Sequence, residues 1–77
     1  MIIPIVNAET HIGRFAAWPV KPHQIVSLRQ RLGKTQVEFA RMLSADPATV
    51  SRWESGRSKP RRIYIRVIIK MMQEAAP

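Results

Sequence analysis

TQVEFARMLSADPATVSRWESG, residues 35–56, carries two helix starts and one helix stop in close succession. Thr35 and Glu38 have the spacing of a capping box, in which the Thr35 hydroxyl accepts from the Glu38 amide and the Glu38 carboxylate accepts from the Thr35 amide. A helix is therefore expected from about 36 to 43, burying Phe39, Ala40 and Leu43 and exposing Arg41. Ser44 and Ala45 leave only a short connection. Asp46 then offers a capping carboxylate, and Pro47 fits a first helical position, where a missing N–H costs nothing. The second helix of the stretch is expected over about 47–55, closed by Gly56.

Two short capped helices joined by a few residues, the second ended by glycine, form a helix-turn-helix pattern. The large apolar residues of the second helix are Val50 and Trp53, three apart and so on one face, which assigns Trp53 to the core. At about 100° per residue the opposite side carries Ala48, Ser51, Arg52 and Ser55. Of these, Arg52 alone can donate two parallel hydrogen bonds, the arrangement that matches guanine O6 and N7.

Upstream, Pro22 stands at a first helical position and Ile25, Leu28, Arg29 and Leu32 follow at i, i+3, i+4 and i+7 before Gly33, which predicts a helix over about 22–32. Downstream, a helix is expected from near Pro60 to about Glu74. Its Ile63–Met72 run reads as two apolar stripes, one of Tyr64, Val67, Ile68 and Met71, the other of Ile65, Ile69 and Met72, with Arg62, Arg66 and Lys70 between. One stripe should pack on the core. The other is left for the N-terminal arm or a second subunit, so Ile65, Ile69 and Met72 are the candidate dimer interface. Residues 1–20, interrupted by Pro4, Gly13 and Pro19, read as an arm, and residues 21–77 as the domain. Within the arm, Ile2, Ile3, Ile5 and Val6 suit an edge strand, Ile12, Phe15 and Ala16 have helical spacing, and Phe15 and Trp18 are the expected anchors.

Composition narrows the function. A chain of 77 residues holds one small core and no roomy substrate cleft. Without cysteine, and with His11 and His23 isolated, neither a disulfide nor a metal site is expected, and no nucleophile, base or cofactor site can be assembled for an enzyme. Thirteen Lys and Arg against five Asp and Glu give a formal charge of +8, which points to a polyanionic partner. The charge concentrates in residues 52–70, where Arg52, Arg57, Lys59, Arg61, Arg62, Arg66 and Lys70 face Glu54 alone. The apolar run Met1–Val6 has no basic flank and is broken by Pro4, so neither a secretory signal nor a membrane span is expected, and a cytoplasmic location is.

Residues 33–60 also carry a family resemblance. The T-Q-x-E-[FL]-A-x-x-L block, the T-V-S-R-W-E-x-G block and the later Pro60 fall in register with the Cro/XRE (lambda repressor-like) helix-turn-helix family, and the likeness extends over roughly 22–74. It implies a compact, all-α domain of four to five helices binding double-stranded DNA, with the helix at about 47–55 in the major groove and the preceding helix's N-terminus on the phosphate backbone. Arg52 is then the principal base reader, with Ala48 placed against a thymine methyl and Ser51 against base edges or phosphate. Gln36, Thr49, Ser55, Arg57, Lys59 and Arg61 become phosphate contacts. Pro47 departs from the polar residue common in the family. Asp46 would repel phosphate unless its own helix amides take up its charge. Glu54 is either a surface residue or, as the resemblance suggests, the partner of Arg29. The function implied is a repressor bound as a homodimer to a pseudo-palindromic operator, the alternative an antitoxin whose arm holds a toxin or other protein.

Overall fold

The computed structural model describes residue 15 and residues 17–75. They form four α-helices: α1, Pro22–Arg31; α2, Gln36–Met42; α3, Pro47–Ser55; and α4, Arg62–Glu74. The suggested edge strand at Ile2–Val6, and the assignments to His11, Ile12 and Ala16, lie outside the described residues.

Capping sets the helix starts. Both halves of the capping box at α2 are made, Glu38 N–H donating to Thr35 Oγ1 at 3.1 Å and Thr35 N–H to Glu38 Oε1 at 2.9 Å. The hydrogen bond from the Thr35 amide is the main reason that the Glu38 carboxyl is held below its ordinary value; desolvation opposes it, and the Thr35 hydroxyl and the charges of Lys34 and Arg41 add to it. At α3, Asp46 Oδ1 accepts from the Ala48 amide at 3.1 Å. α1 makes only the returning half of such a box, which its sequence did not advertise: Lys21 N–H donates to Gln24 Oε1 at 2.8 Å. α4 starts at Arg62 rather than near Pro60, because Pro60 is buried in the connection and Arg61 is still extended, with φ −72° and ψ 162°.

α3 packs between α1 and α2 with α4 set against α1. The core is Val20, Ile25, Leu28, Phe39, Ala40, Leu43, Val50, Trp53 and Ile68. Val20, assigned to the arm from sequence, is 1% exposed and belongs to that core. The two stripes expected on α4 are in fact one broad arc. Ile68 is its centre, and Tyr64, Ile65, Met71 and Met72 lie within about 60° of it at helical spacing, all four packed on the core. Ile65 and Met72, expected at a dimer interface, are thus half-buried within the domain. Val67, expected in the core stripe, is 43% exposed, and Ile69 and Ile63 are 37% and 69% exposed.

Gly56 ends α3 in the left-handed region at φ 79°, its amide donating to the Trp53 carbonyl at 3.2 Å. Phe15, edge-on to Trp18 with ring centroids 4.8 Å apart, closes over it, so a Cβ at Gly56 would stand 2.8 Å from Phe15 Cζ. Gly33 is also left-handed, at φ 68°, but its Cβ would meet open space.

Gly33→Ala should therefore cost about 1–2 kcal/mol through backbone conformation alone, measured by urea unfolding. Gly56→Ala should cost more, and the excess should vanish in a Phe15→Ala background; equal costs in the parent would show that Phe15 does not press on Gly56. The capping box predicts an acid dependence. Because the folded Glu38 value is lowered, its stabilisation is complete above the unfolded value of about 4.3 and is lost as pH falls through the folded value. Glu38→Gln keeps an acceptor but cannot titrate, so the stability difference between parent and variant should change across that acid window and be flat above pH ~6.

Candidate nucleic-acid interface

Beside the buried Val50 and Trp53, one carboxylate ties α3 to the rest of the domain. Glu54 sits in the last turn of α3 with its side chain 8% exposed. Its Oε2 accepts from Arg29 Nε at 2.6 Å, and its Oε1 accepts from Arg29 Nη2 at 3.1 Å and from Gln36 Nε2 at 2.9 Å. Arg29 Nη1 also donates to the Lys34 carbonyl at 2.9 Å. One cluster thereby ties α1, the α1–α2 connection, α2 and α3. The hydrogen bonds from Glu54 are the main reason that Arg29 is held above the ordinary guanidinium value; partial burial opposes them and the Glu54 charge adds to them. With the Arg29 side chain only 18% exposed, the pair is largely withdrawn from water, and removing one partner strands the other.

Gln36 is a position where structure adds to the resemblance. Its side-chain amide is half-buried and spends one N–H on Glu54, which leaves the second N–H and its carbonyl oxygen for other partners. Spacing could not have shown this, since the two residues are eighteen positions apart on different helices.

With α3 pinned from behind, Ala48, Ser51, Arg52 and Ser55 are all exposed on its other side. Ser55 Oγ donates to the Arg52 carbonyl at 3.2 Å, which uses its proton but leaves its lone pairs. The Asp46 charge, which threatened to repel phosphate, is directed at the α3 amides through Ala48. Beside this face runs a groove of about 370 Å³ lined by Thr49, Arg52, Trp53, Ser58, Lys59, Arg61 and Tyr64. Tyr64 reaches it from the first turn of α4, with its ring 5.2 Å from that of Trp53 and tilted by 56°. Arg57 is exposed but does not line the groove. Among the described residues the Arg29–Glu54 contact is the one ion pair, so the cations of this face are not neutralised within the domain.

A helix-turn-helix family model matches residues 25–73, which spans α2, α3 and most of α1 and α4. The chain belongs to the Cro/XRE-type helix-turn-helix family. α2 and α3 of this DNA-binding domain are the helix-turn-helix itself, and α3 occupies the place of the recognition helix. The domain is also similar to the antitoxin HigA-2 of Vibrio cholerae serotype O1, with 30% identity over 63 residues, 82% of this chain and 60% of that protein. It thus spans about 60% of the length of the curated relative it matches. No solved structure matches the chain. Among the described residues no helix is long and apolar enough to cross a membrane.

Glu54→Ala should destabilise the helix-turn-helix domain by about 3 kcal/mol, read from urea or thermal unfolding, because Arg29 and Gln36 both lose their acceptor. Arg57→Ala, an exposed change that removes no side-chain hydrogen bond or ion pair among the described residues, should stay within about 0.5 kcal/mol. A loss of similar size in the two variants would remove the clamp from the stability of the domain.

Proposed function

We propose that this chain is a sequence-specific transcriptional regulator of the repressor type, acting in the cytoplasm, that reads its operator through Arg52 on α3. The observation that carries this reading is the division of α3 into two sides. Val50, Trp53 and Glu54 are committed to the fold, while Arg52 is exposed with its guanidinium unpaired among the described residues. Its neighbours Ala48 and Ser51 are small, so the helix can approach base edges closely and leave the long fork of Arg52 to reach a guanine. Thr49, Ser55, Arg57, Lys59 and Arg61, with the spare N–H of Gln36, then serve as phosphate contacts that fix orientation.

One arginine on one domain reads too little sequence to select a site. The repressor reading therefore includes two copies on a pseudo-palindromic operator, with recognition helices ~34 Å apart. The pairing surface on this reading is the flank of α4 that carries Ile69, to which the half-buried Ile65 and Met72 contribute their outer edges. The similarity to antitoxin HigA-2 supports a second reading, an antitoxin that regulates its own promoter and whose N-terminal arm holds a protein partner. Because Val20 is core and Phe15 closes over Gly56, a deletion that tests the arm should remove residues 1–14 and no more. On the antitoxin reading that deletion abolishes a stable complex with the product of an adjacent gene while DNA binding survives; if only self-association is lost, that reading fails.

Selection of bound sequences from a random DNA pool should return a site with two-fold symmetry. On that site Arg52→Ala should weaken binding by ~1–3 kcal/mol and relax the preference at one guanine per half-site. Lys59→Ala should weaken all sequences alike and reduce the slope of log K against log salt by about 0.9. Uniform weakening by Arg52→Ala would instead make Arg52 a phosphate contact.

A further inference from the structure

We infer that the groove between α3 and the start of α4 is a built seat for a single phosphodiester of the DNA backbone, and that the hydroxyls of Tyr64 and Ser58 are donors in it. The inference rests on the DNA-reading function above and adds two residues that neither the spacing nor the family resemblance singled out; from sequence, Tyr64 was only a core residue.

The lining is chemically one-sided. Three residues that carry cations, Arg52, Lys59 and Arg61, and three that carry hydroxyls, Thr49, Ser58 and Tyr64, line it together with Trp53, and no acidic residue does. None of the three hydroxyls makes a hydrogen bond within the described residues, and neither do the side-chain nitrogens of the three cations. A ligand here must accept many hydrogen bonds and carry negative charge, which a phosphodiester does with its two unbridged oxygens. A cation would meet three like charges and no carboxylate, and a neutral ligand would leave those charges uncompensated.

The donors differ in how they are held. Lys59 and Arg61 are long, exposed side chains that lose rotamer freedom when a ligand fixes them. Tyr64 is half-buried, and its ring is already located by the core and by Trp53, so its hydroxyl is placed before any ligand arrives. A rigid aromatic that ends in a hydroxyl gives a hydrogen bond at low entropic cost. Trp53 is the chain neighbour of Arg52, and Arg52 itself lines the groove. A phosphate seated against Tyr64 therefore sets the register of the helix that carries the base-reading side chain, so that backbone contact and base contact share one wall.

The test compares Tyr64→Phe, Ser58→Ala and Lys59→Ala with the parent on the operator obtained by selection. Tyr64→Phe keeps the ring and should leave the thermal midpoint unchanged, while lowering operator affinity about 10- to 100-fold, as expected for one hydrogen bond to a charged group. Its salt slope should equal the parent's, since Tyr64 is neutral, whereas that of Lys59→Ala should be flatter. Replacing operator phosphates one at a time by methylphosphonate should reveal one position per half-site at which the Tyr64→Phe and Ser58→Ala variants weaken by less than the parent does, the remaining loss being that of the cation contacts. Parental affinity for the operator in Tyr64→Phe overturns the seat, as does a loss that adds to methylphosphonate at every position. If inorganic phosphate alone saturates the Tyr64 ring resonances of the free protein while Tyr64→Phe leaves operator binding intact, the groove serves a free anion and the assignment to DNA is wrong. Failure of the parent to select any DNA overturns instead the reading on which the seat rests.

Discussion

The Glu54 carboxylate accepts hydrogen bonds from α1 and α2 while belonging to α3, and the placing of the recognition helix depends on it. α3 has only nine residues and two large apolar side chains, too little surface to fix its rotation by packing alone. Val50 and Trp53 choose which side faces the core; the Arg29–Glu54–Gln36 cluster then sets the end of the helix against its neighbours. A buried charge pair of this kind contributes less net stability than its geometry suggests, because both groups are taken from water. Its contribution here is to specify one arrangement, since any rotation of α3 that breaks the cluster leaves a carboxylate and a guanidinium withdrawn from solvent and unpaired.

That constraint divides the basic residues into three kinds. Arg29 is consumed by the fold. Arg52 is exposed on the pinned helix and is the base reader of the proposed function. Arg57, Lys59, Arg61 and Arg62 follow Gly56 in or near the connection to α4 and are exposed; on the proposed reading their charge draws the domain to any DNA, with a contribution that weakens with salt. Gly56 is the boundary between the second and third kinds: its left-handed φ of 79° turns the chain out of α3, and the close approach of Phe15 leaves no room for a Cβ there.

Much of the fold was legible because its signals are local. Thr35 with Glu38, Asp46 with Pro47, and Gly56 each act within a few residues, and the structure starts and ends α2 and α3 within a residue of where those signals put them. The outward set Ala48, Ser51, Arg52 and Ser55 followed from two core residues and a helical repeat. What was not legible depends on neighbours that sequence does not show. A helix with eight apolar residues in ten can be divided into stripes in several ways, and only the position of the core made Ile68 the centre and turned Val67 outward. Val20 looked like arm because proline and glycine surround it, yet it fills the core. The link from Gln36 to Glu54 spans two helices and carries no motif, and the pairing of Arg29 with Glu54 was suggested by family resemblance and by no feature of spacing.

The central claim is that a clamped α3 presents Arg52 to a base. It is tested most directly by the structure of the domain bound to its selected operator. The account predicts the Arg52 guanidinium within hydrogen-bonding distance of O6 and N7 of one guanine, with Glu54 still accepting from both Arg29 and Gln36. Arg52 lying on a backbone phosphate, or Glu54 released from its two partners in the complex, would contradict it.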